Sequence, residues 1–411
     1  MRPLLLFAAL LLIAPQLAPA PGPHFFAYIG SIGTNDVVIA WGHANGSGNT
    51  IGRDAESSGK AKVTVGSRTV ETQKSWVKVD GLQPDTPYTY SLELNGEQVA
   101  RGNVRTYPVR TGSFVFFVIG DWGNGSSGQY EVAKKMIQEK ERLEKEGKPV
   151  RFVISNGDNI YGFLRNSGNR DSHWESKFFV PYRDLISSVP FYAVIGNHDG
   201  NESENTDDLD VYLDNFFFPQ SDDKHRWYRF QVANLVEFFM LDSSRNTNSD
   251  EPKPVYLAER EQTKWLEEQL SKPPTTPWRV AVFHHPMFTA GPRHEAALPR
   301  LQHWFDLFRK YRVDVVFSGH EHNFQVSTRD AKTGNIQFFV SGAGGELRGG
   351  ALNRTMTEQG IVGWAPQRHF LIVDVNDKEM RVSPVGPQPI RVRNAAGATI
   401  PPEVVVPRRE R

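Results

Sequence analysis

The chain has 411 residues, with 47 Lys and Arg against 47 Asp and Glu, and no cysteine. This length suits two or three domains. The formal net charge of zero argues against a nucleic-acid-binding protein, because such proteins need an excess of cationic side chains. Without cysteine the chain has no disulfide, no zinc–thiolate site and no thiol nucleophile.

Residues 1–23 have the features of a signal peptide. Arg2 precedes an apolar run from Leu4 to Ala14, and Ala18-Pro19-Ala20 is a small-residue cleavage pattern. Pro21 is a poor context for cleavage, so an uncleaved N-terminal anchor is the alternative. No later segment is long enough to span a bilayer. We therefore expect an exported protein, periplasmic or extracellular, and the absence of cysteine suggests a bacterial envelope.

Residues 24–108 have the pattern of an all-β domain. The segments 36–41 and 75–79 are strand-like, with Gly-, Asn- and Ser-rich turns between such runs. The segment 81–90 combines a leucine, a proline-containing turn and alternating tyrosines. It resembles the corner of a fibronectin type III-like sandwich, where a Tyr hydroxyl holds the turn. We expect a small β-sandwich with a structural role rather than independent ligand binding.

From residue 113 the pattern changes to strands alternating with helices, which indicates βαβ units and a parallel or mixed sheet over 113–385. The segments 113–119 and 150–155 read as buried strands. Helices are predicted over 129–146 and about 295–311. The residues from about 387 onward, within a C-terminal segment 386–411, are expected to be a poorly ordered tail.

Polar residues follow five of the predicted strands, at the edge where open α/β sheets bind ligands. Each has an ordinary explanation alone: a turn cap for Asp121, a turn residue for Asn197, a buried imidazole for His284 or His285. Together they offer more oxygen and nitrogen donors than one ion needs, so two ions sharing a carboxylate are favoured. Two metals about 3.5–4 Å apart are characteristic of in-line displacement at phosphorus. The strand ends carry Asp121, Asp158 with Tyr161, Asn197 with His198, His284, and His320 with His322.

The motifs GD-x-G, GD-xx-Y, GNH, H-x-P and GH-x-H, in this order, resemble the metallophosphoesterase superfamily and specifically its purple acid phosphatases. The superfamily carries Asp-x-His in its first motif, where this chain has Asp121-Trp122-Gly123, and Tyr161 is gained in the second motif. This exchange of a His ligand for a Tyr ligand distinguishes the purple acid phosphatases. The resemblance covers about residues 113–380 and implies a four-layer α/β/β/α sandwich. The motifs look closest to the small tartrate-resistant type, and the added sandwich resembles the larger plant-type enzymes.

The resemblance implies a ferric ion and a second divalent ion, Fe, Zn or Mn, whose identity N and O ligands do not settle. The His-x-Pro context favours His284 over His285 as a ligand, although Ala281 stands where the family usually has Val. His285 is then structural or lies behind the ligands. The implied ferric ligands are Asp121, Asp158, Tyr161 and His322, with Asp158 bridging; the implied ligands of the divalent ion are Asn197, His284 and His320.

The same resemblance implies an acid phosphatase that hydrolyses small phosphate monoesters by attack of metal-bound hydroxide on phosphorus. His198 would stabilise the transition state, and His294 would contact the substrate or protonate the leaving group. Arg293 is a candidate phosphate contact, and an ordinary exposed loop position is the alternative for His294. A phosphodiesterase or nucleotide pyrophosphatase of the same superfamily is the alternative enzyme. A different class is a catalytically idle protein whose sandwich recognises a surface polymer.

Overall fold

A computed structural model describes residues 24–44, 51–162, 174–199, 209–221, 223, 225–244, 254–349 and 356–409. The predicted signal segment 1–23 lies outside these residues and stays a prediction. None of the helices in the described part of the chain combines the length and the apolar stretch that a bilayer crossing requires.

The N-terminal domain is an antiparallel β-sandwich of two sheets with strand orders β1-β2-β5 and β4-β3-β6-β7. Its sequence alternates between buried and exposed positions, as along β3, where Val63 and Val65 are fully buried. The strands are β1 (Phe25–Ile32), β2 (Asp36–His43), β3 (Glu56–Val65), β4 (Arg68–Lys74), β5 (Trp76–Asp80), β6 (Pro87–Leu94) and β7 (Glu97–Arg105).

The predicted tyrosine corner is present at the start of β6. The backbone N–H of Gln83 donates to the hydroxyl of Tyr88 at 2.8 Å, which closes the proline-containing turn. Tyr90, two residues on, instead donates its hydroxyl to the carbonyl of Ser187 in the following domain. One tyrosine therefore holds the sandwich's own turn, and the next joins the two domains.

The second domain is mixed α/β, as the sequence predicted. Its helices are α1 (Ser127–Lys145), α2 (Arg183–Ile186), α3 (Asp210–Asn215), α4 (Glu261–Ser271) and α5 (Gln302–Lys310), with a π-helical turn at Glu175–Phe179. Its strands are β8 (Ser113–Ile119), β9 (Val150–Ser155), β10 (Phe191–Ala193), β11 (Tyr228–Val232), β12 (Val236–Met240), β13 (Trp278–Val282), β14 (Val315–Ser318), β15 (Phe324–Ser327), β16 (Gln337–Ser341), β17 (Ile361–Ala365), β18 (Phe370–Asn376), β19 (Glu379–Val385), β20 (Val392–Arg393), β21 (Thr399–Ile400) and β22 (Val404–Pro407).

Two sheets face each other in this domain, with orders β10-β9-β8-β18-β19-β22 and β11-β12-β13-β14-β16-β15-β17-β20-β21. Aromatic side chains fill the space between them: the ring of Phe116 on β8 lies 5.4 Å from Phe238 on β12 and 6.3 Å from Phe317 on β14. Leu266 of α4 and Trp304 of α5 are fully buried in a separate cluster with Phe283. Helices α4 and α5 thus pack beside the second sheet, and the predicted α/β/β/α fold class is confirmed.

Parallel pairing places the carboxyl ends of the central strands at one edge. In the first sheet β10, β9 and β8 are parallel, and in the second β12, β13, β14 and β16 are parallel. The loops that leave these ends therefore converge over both sheets.

Two expectations are wrong. The predicted helix over 295–311 is helical only from Gln302 to Lys310; Pro299, which lacks an amide hydrogen, disfavours a helix that would run through it from residue 295. The segment after Pro387 is not a poorly ordered tail, since β22 pairs with β19 as an antiparallel edge strand over Val404–Pro407. Its short strands lack the periodicity that would have identified them.

His369, directly before β18, is a fully buried imidazole. Its Nε2 lies 3.2 Å from the Ser341 hydroxyl, and its Nδ1 lies 2.8 Å from the carbonyl of Gln367. Burial lowers the pKa of His369 from 6.5 to about 4, against a weaker opposing effect of the Gln367 hydrogen bond. Between these values the unfolded chain binds a proton that the folded chain excludes, so stability is lost as pH falls.

We predict that His369→Gln reduces the acid sensitivity of folding. The free energy of unfolding of the wild type should fall by about 2 kcal/mol more than that of the variant between pH 7 and pH 5. Denaturant unfolding of both proteins at the two pH values measures this difference. Parallel losses in the two proteins would contradict the assignment.

Candidate metal centre

The loops after β8, β9, β10, β13 and β14 bring all the predicted metal-ligating residues to one place. Three of them, Asp121, Asp158 and His320, have positive φ angles of 56°, 50° and 67°. Such a conformation is unfavourable for residues other than glycine, and it concentrates at functional sites. At these residues the backbone leaves the direction of the strand, and their side chains turn towards one another.

One cluster combines Asp121, Asp158, Tyr161 and His322. The Tyr161 hydroxyl lies 3.2 Å from Asp121 Oδ1 and 3.3 Å from His322 Nε2. The same His322 nitrogen lies 3.2 Å from Asp121 Oδ1. A phenol, a carboxylate and an imidazole thus direct their donor atoms to a common point. Both carboxylates and His322 are buried.

The second cluster lies on the other side of Asp158. His284 Nε2 is 3.3 Å from Asp158 Oδ1 and 3.1 Å from Asn197 Oδ1. The rings of His284 and His320 have centroids 5.0 Å apart. His285 also joins this group, with its ring 4.5 Å from that of His320. Asp158 thus lies between the two clusters, as a bridging carboxylate would.

The donor sets fit a pair of metal ions. Neighbouring donors on one ion, each about 2.0–2.2 Å from it, are separated by about 3 Å, and the five donor pairs described above lie 3.1–3.3 Å apart. Carboxylate, phenol, amide and imidazole donors without sulfur suit iron, zinc and manganese. The second nitrogen of His284 faces the carbonyl of Asn156 at 3.0 Å, which leaves Nε2 as the ligating atom.

The charges of the site are strongly coupled. Burial by itself would raise the pKa of Asp158, but the neighbouring His284 and His198 outweigh it and hold that pKa well below its ordinary value. Burial and then the two carboxylates Asp121 and Asp158 raise the pKa of Tyr161. Burial also lowers the pKa of His320, as do His285 and His284 beside it. A phenol next to two buried carboxylates loses its proton readily only when positive charge is supplied nearby.

The predicted substrate residues lie on both sides of the ligands. The His198 ring lies 4.4 Å from that of Tyr161, and its backbone N–H donates to Asp158 Oδ1 at 2.8 Å. The His294 ring lies against that of His320, with centroids 3.8 Å apart and the ring planes tilted by 35°. Arg293 is exposed and lines a cleft with His294 and His320. The structure therefore brings His198, His294 and Arg293 to the predicted site.

Several residues that sequence reasoning did not single out hold this site together. Glu321, the middle residue of GHEH, accepts the backbone N–H groups of Arg293 and His294 at 3.3 and 2.8 Å. Arg348 Nη1 lies 3.2 Å from His294 Nε2. Ser243 lies 2.9 Å from His285 Nδ1. Glu321 was visible inside its motif, whereas no local pattern marks Arg348 or Ser243.

Asp199, the last residue of GNHD, fixes two of the loops. Its carboxylate accepts backbone N–H groups from Asn159, Ile160 and Gly196, with distances of 2.9–3.2 Å, and the side-chain amide of Asn159 at 2.8 Å. The loop with Asp158 and the loop with Asn197 are therefore tied to one buried side chain, which is 1% exposed.

Residues 114–324 match the model of the calcineurin-like phosphoesterase family. The matched segment includes every candidate ligand and more than half of the chain, so the chain belongs to this family. Phosphoester hydrolysis is the chemistry that this membership supports.

Within this family the resemblance to purple acid phosphatases is confirmed. The chain is 28% identical to purple acid phosphatase 3 of Arabidopsis thaliana, over 66% of this chain and 74% of that protein. It is 26% identical to human tartrate-resistant acid phosphatase type 5, over 65% of this chain and 86% of that protein. The structure of purple acid phosphatase PPD1 from yellow lupin seeds has the same fold, with a TM-score of 0.65, 14% identity, and coverage of 95% of this chain and 75% of that chain.

Asp158→Asn should lower the metal content of the purified protein from about two ions per chain to one or fewer. The amide removes the charge that both clusters share and leaves a neutral oxygen between them. Inductively coupled plasma mass spectrometry measures the metal-to-protein ratio. Asp374→Asn, which changes a surface carboxylate paired with Lys148, is the matched control. A full complement of metal in Asp158→Asn would exclude a bridging role.

Asp199→Asn should destabilise the domain by about 2–4 kcal/mol, because an amide nitrogen then faces buried N–H donors that a carboxylate accepted. Denaturant unfolding of the metal-free protein measures this loss apart from any effect of metal binding. Asp374→Asn again serves as the control. Unchanged stability would contradict the role of the Asp199 carboxylate in holding the two loops.

Proposed function

We propose that the protein is an acid phosphatase that hydrolyses phosphate monoesters at a binuclear centre of Fe(III) and a divalent Fe, Zn or Mn. The position of Tyr161 carries this proposal: its hydroxyl meets Asp121 and His322 at 3.2–3.3 Å. Phenolate is a hard oxygen donor suited to Fe(III). The proposed Fe(III) ligands are Asp121, Asp158, Tyr161 and His322, and those of the divalent ion are Asn197, His284, His320 and the bridging Asp158.

Two bound cations would supply a hydroxide nucleophile near neutral or acidic pH and would compensate the charge of the phosphate oxygens. The chain supplies positioning and hydrogen bonds around them. His198, next to Asn197 and with its ring packed against Tyr161, is placed to donate to a phosphate oxygen as negative charge develops. Its backbone is held by Asp158, so its position depends on the same carboxylate as the metal ligands.

His294 is the proposed contact on the leaving-group side. A guanidinium only donates hydrogen bonds, so Arg348 donates to Nε2 of His294 and the imidazole proton resides on Nδ1. Nδ1–H can then donate to the oxygen of the leaving group. Glu321 fixes the backbone on which this ring depends. The role proposed for His294 is therefore hydrogen-bond donation from one defined nitrogen.

We propose 24–108 as the sandwich domain and 113–385 as the catalytic domain, with 386–411 as the C-terminal segment. A signal peptide at residues 1–23 would export the protein to the periplasm or the outside of the cell. Its substrates are then small phosphate esters present in those compartments.

Tyr161→Phe should lose a broad visible absorption band, because the charge transfer that produces it needs a phenolate on Fe(III). The aromatic ring stays, so packing against His198 is retained. Visible spectra and metal analysis of the wild type and the variant measure this, with Tyr130→Phe on the surface of α1 as the control. A colourless wild type with two metals and no iron would contradict the Fe(III) assignment.

Steady-state kinetics decide between the two enzyme functions. With metals bound, kcat/KM for 4-nitrophenyl phosphate should exceed that for bis(4-nitrophenyl) phosphate, because a diester has one fewer ionisable oxygen to bind between two cations. A preference for the diester would favour a phosphodiesterase. Absence of turnover with either ester in the metal-loaded protein would favour an idle binding protein.

A further inference from the structure

His322 directs one ring nitrogen into the first cluster and leaves the other without a partner. Its Nε2 lies 3.2 Å from Asp121 Oδ1 and 3.3 Å from the Tyr161 hydroxyl. Its Nδ1 is buried and has no hydrogen-bond partner among the residues that the structure describes. A buried donor without an acceptor lowers stability, so an acceptor that reached this nitrogen would remove that cost.

The carboxylate of Glu346 lies beside this unpartnered nitrogen. Its Oε2 is 4.0 Å from His322 Nδ1, which is about 1 Å longer than a hydrogen bond between an imidazole N–H and a carboxylate. The Glu346 side chain is 33% exposed, so the carboxylate has room to rotate towards the ring. A small side-chain movement would therefore complete the hydrogen bond.

The rest of Glu346 is held in place by the loop of another proposed ligand. The backbone N–H groups of Gly345 and Glu346 both donate to the carbonyl of Asp121, at 3.0 and 2.9 Å. The other carboxylate oxygen of Glu346 accepts the side-chain amide of Asn124 at 3.0 Å. Glu346 is thus bound to the backbone of one proposed ligand, and its carboxylate faces the ring of a second, His322.

An imidazole that binds a metal through one nitrogen usually donates the other N–H to a carboxylate or a carbonyl, which fixes the ring and raises its basicity. With Nε2 of His322 as the ligating atom, the ring proton resides on Nδ1, the nitrogen that faces Glu346. We propose that Glu346 is a positioning residue that accepts Nδ1–H of His322 and adds a negative charge beside the proposed Fe(III) ion. This inference rests on the proposed function, since it concerns the ferric half of that centre.

The corresponding nitrogen in the second cluster has a neutral partner. Nδ1 of His284 faces the backbone carbonyl of Asn156 at 3.0 Å. A carboxylate thus lies behind one proposed ligand, and an uncharged carbonyl lies behind the other. Because the interaction with a negative charge grows with the charge of the ion, Glu346 favours a trivalent ion over a divalent ion in the first cluster.

Glu346→Gln should raise the reduction potential of the Fe(III) ion, because the amide keeps an acceptor oxygen and removes the charge. At a fixed applied potential the ratio of Fe(II) to Fe(III) should rise about tenfold, which is ~59 mV for a one-electron couple. A spectroelectrochemical titration of the iron-loaded protein, followed through its visible absorption band, measures this shift. Equal potentials in the wild type and Glu346→Gln would overturn the proposal.

Two further variants separate charge from other effects of substitution. Glu346→Asp keeps the carboxylate and should have a potential closer to that of the wild type than to that of Glu346→Gln. Glu144→Gln is the matched control, since it changes a surface carboxylate that is paired with Lys140, and it should leave the potential unchanged. A shift in Glu346→Asp as large as that in Glu346→Gln would overturn the role of the charge.

A crystal structure of the wild type loaded with Ga(III), a trivalent ion that is not reduced, tests the contact without any variant. An oxygen of Glu346 should lie about 2.7–2.9 Å from His322 Nδ1. A separation that stays near 4 Å, or a different acceptor on Nδ1, would overturn the proposal and leave the proposed phosphatase standing. A wild type that binds two metals, contains no iron and shows no visible band would instead contradict the Fe(III) centre of the proposed function.

Discussion

The burial of several ionisable groups at one edge of two sheets is the constraint on which the rest of this site depends. Asp121, Asp158 and His284 are each at most 1% exposed, and a buried charge is costly unless it is compensated. Asp158 lies between the clusters and interacts with both. The groups around Asp158 must therefore compensate its charge if the side chains of both clusters are to stay buried together. A pair of cations would turn this costly arrangement into a favourable one, since every donor atom then has a positive partner.

This constraint explains why the loops around the site are so tightly built. Positive φ angles at Asp121 and Asp158 are tolerated only where the surroundings hold them. A Cβ atom at Gly120 would overlap the side chain of Asn156, and one at Gly196 would overlap Asp158. The backbones consequently approach each other more closely than side chains would allow. The carboxylate of Asp199 then replaces the hydrogen bonds that these irregular loops cannot make among themselves.

Most of this site could be predicted because each ligand stands at the end of a strand that its own sequence identifies. Asp121 and Asp158 follow apolar β-branched and aromatic runs, and parallel pairing brings their ends together. The tyrosine corner at Tyr88 was also predictable, because the leucine, the proline-containing turn and the alternating tyrosines lie together in residues 81–90. Arg348 was not, because its partner His294 is 54 positions away in sequence and no periodicity links them. Pro299 argues against a helix that begins at residue 295, but the prediction followed the apolar pattern of the residues after it.

The sandwich domain contacts the catalytic domain at β10. This strand has only three residues, and it leads to Asn197 and His198. The hydroxyl of Tyr192 on β10 lies 2.9 Å from that of Tyr107 and accepts the backbone N–H of Ile32 at 3.2 Å.

On the other side of the strand, the carbonyl of Ala193 accepts the hydroxyls of Tyr212 and Tyr228 at 3.0 and 2.9 Å. A strand of three residues gains little stability from its own backbone hydrogen bonds. The four tyrosine contacts therefore help to fix the direction in which the chain leaves the sheet. Through Ile32 and Tyr107 the N-terminal domain contacts the strand that presents an amide and an imidazole to the candidate metal centre. Such a contact is what the structural role predicted for that domain requires.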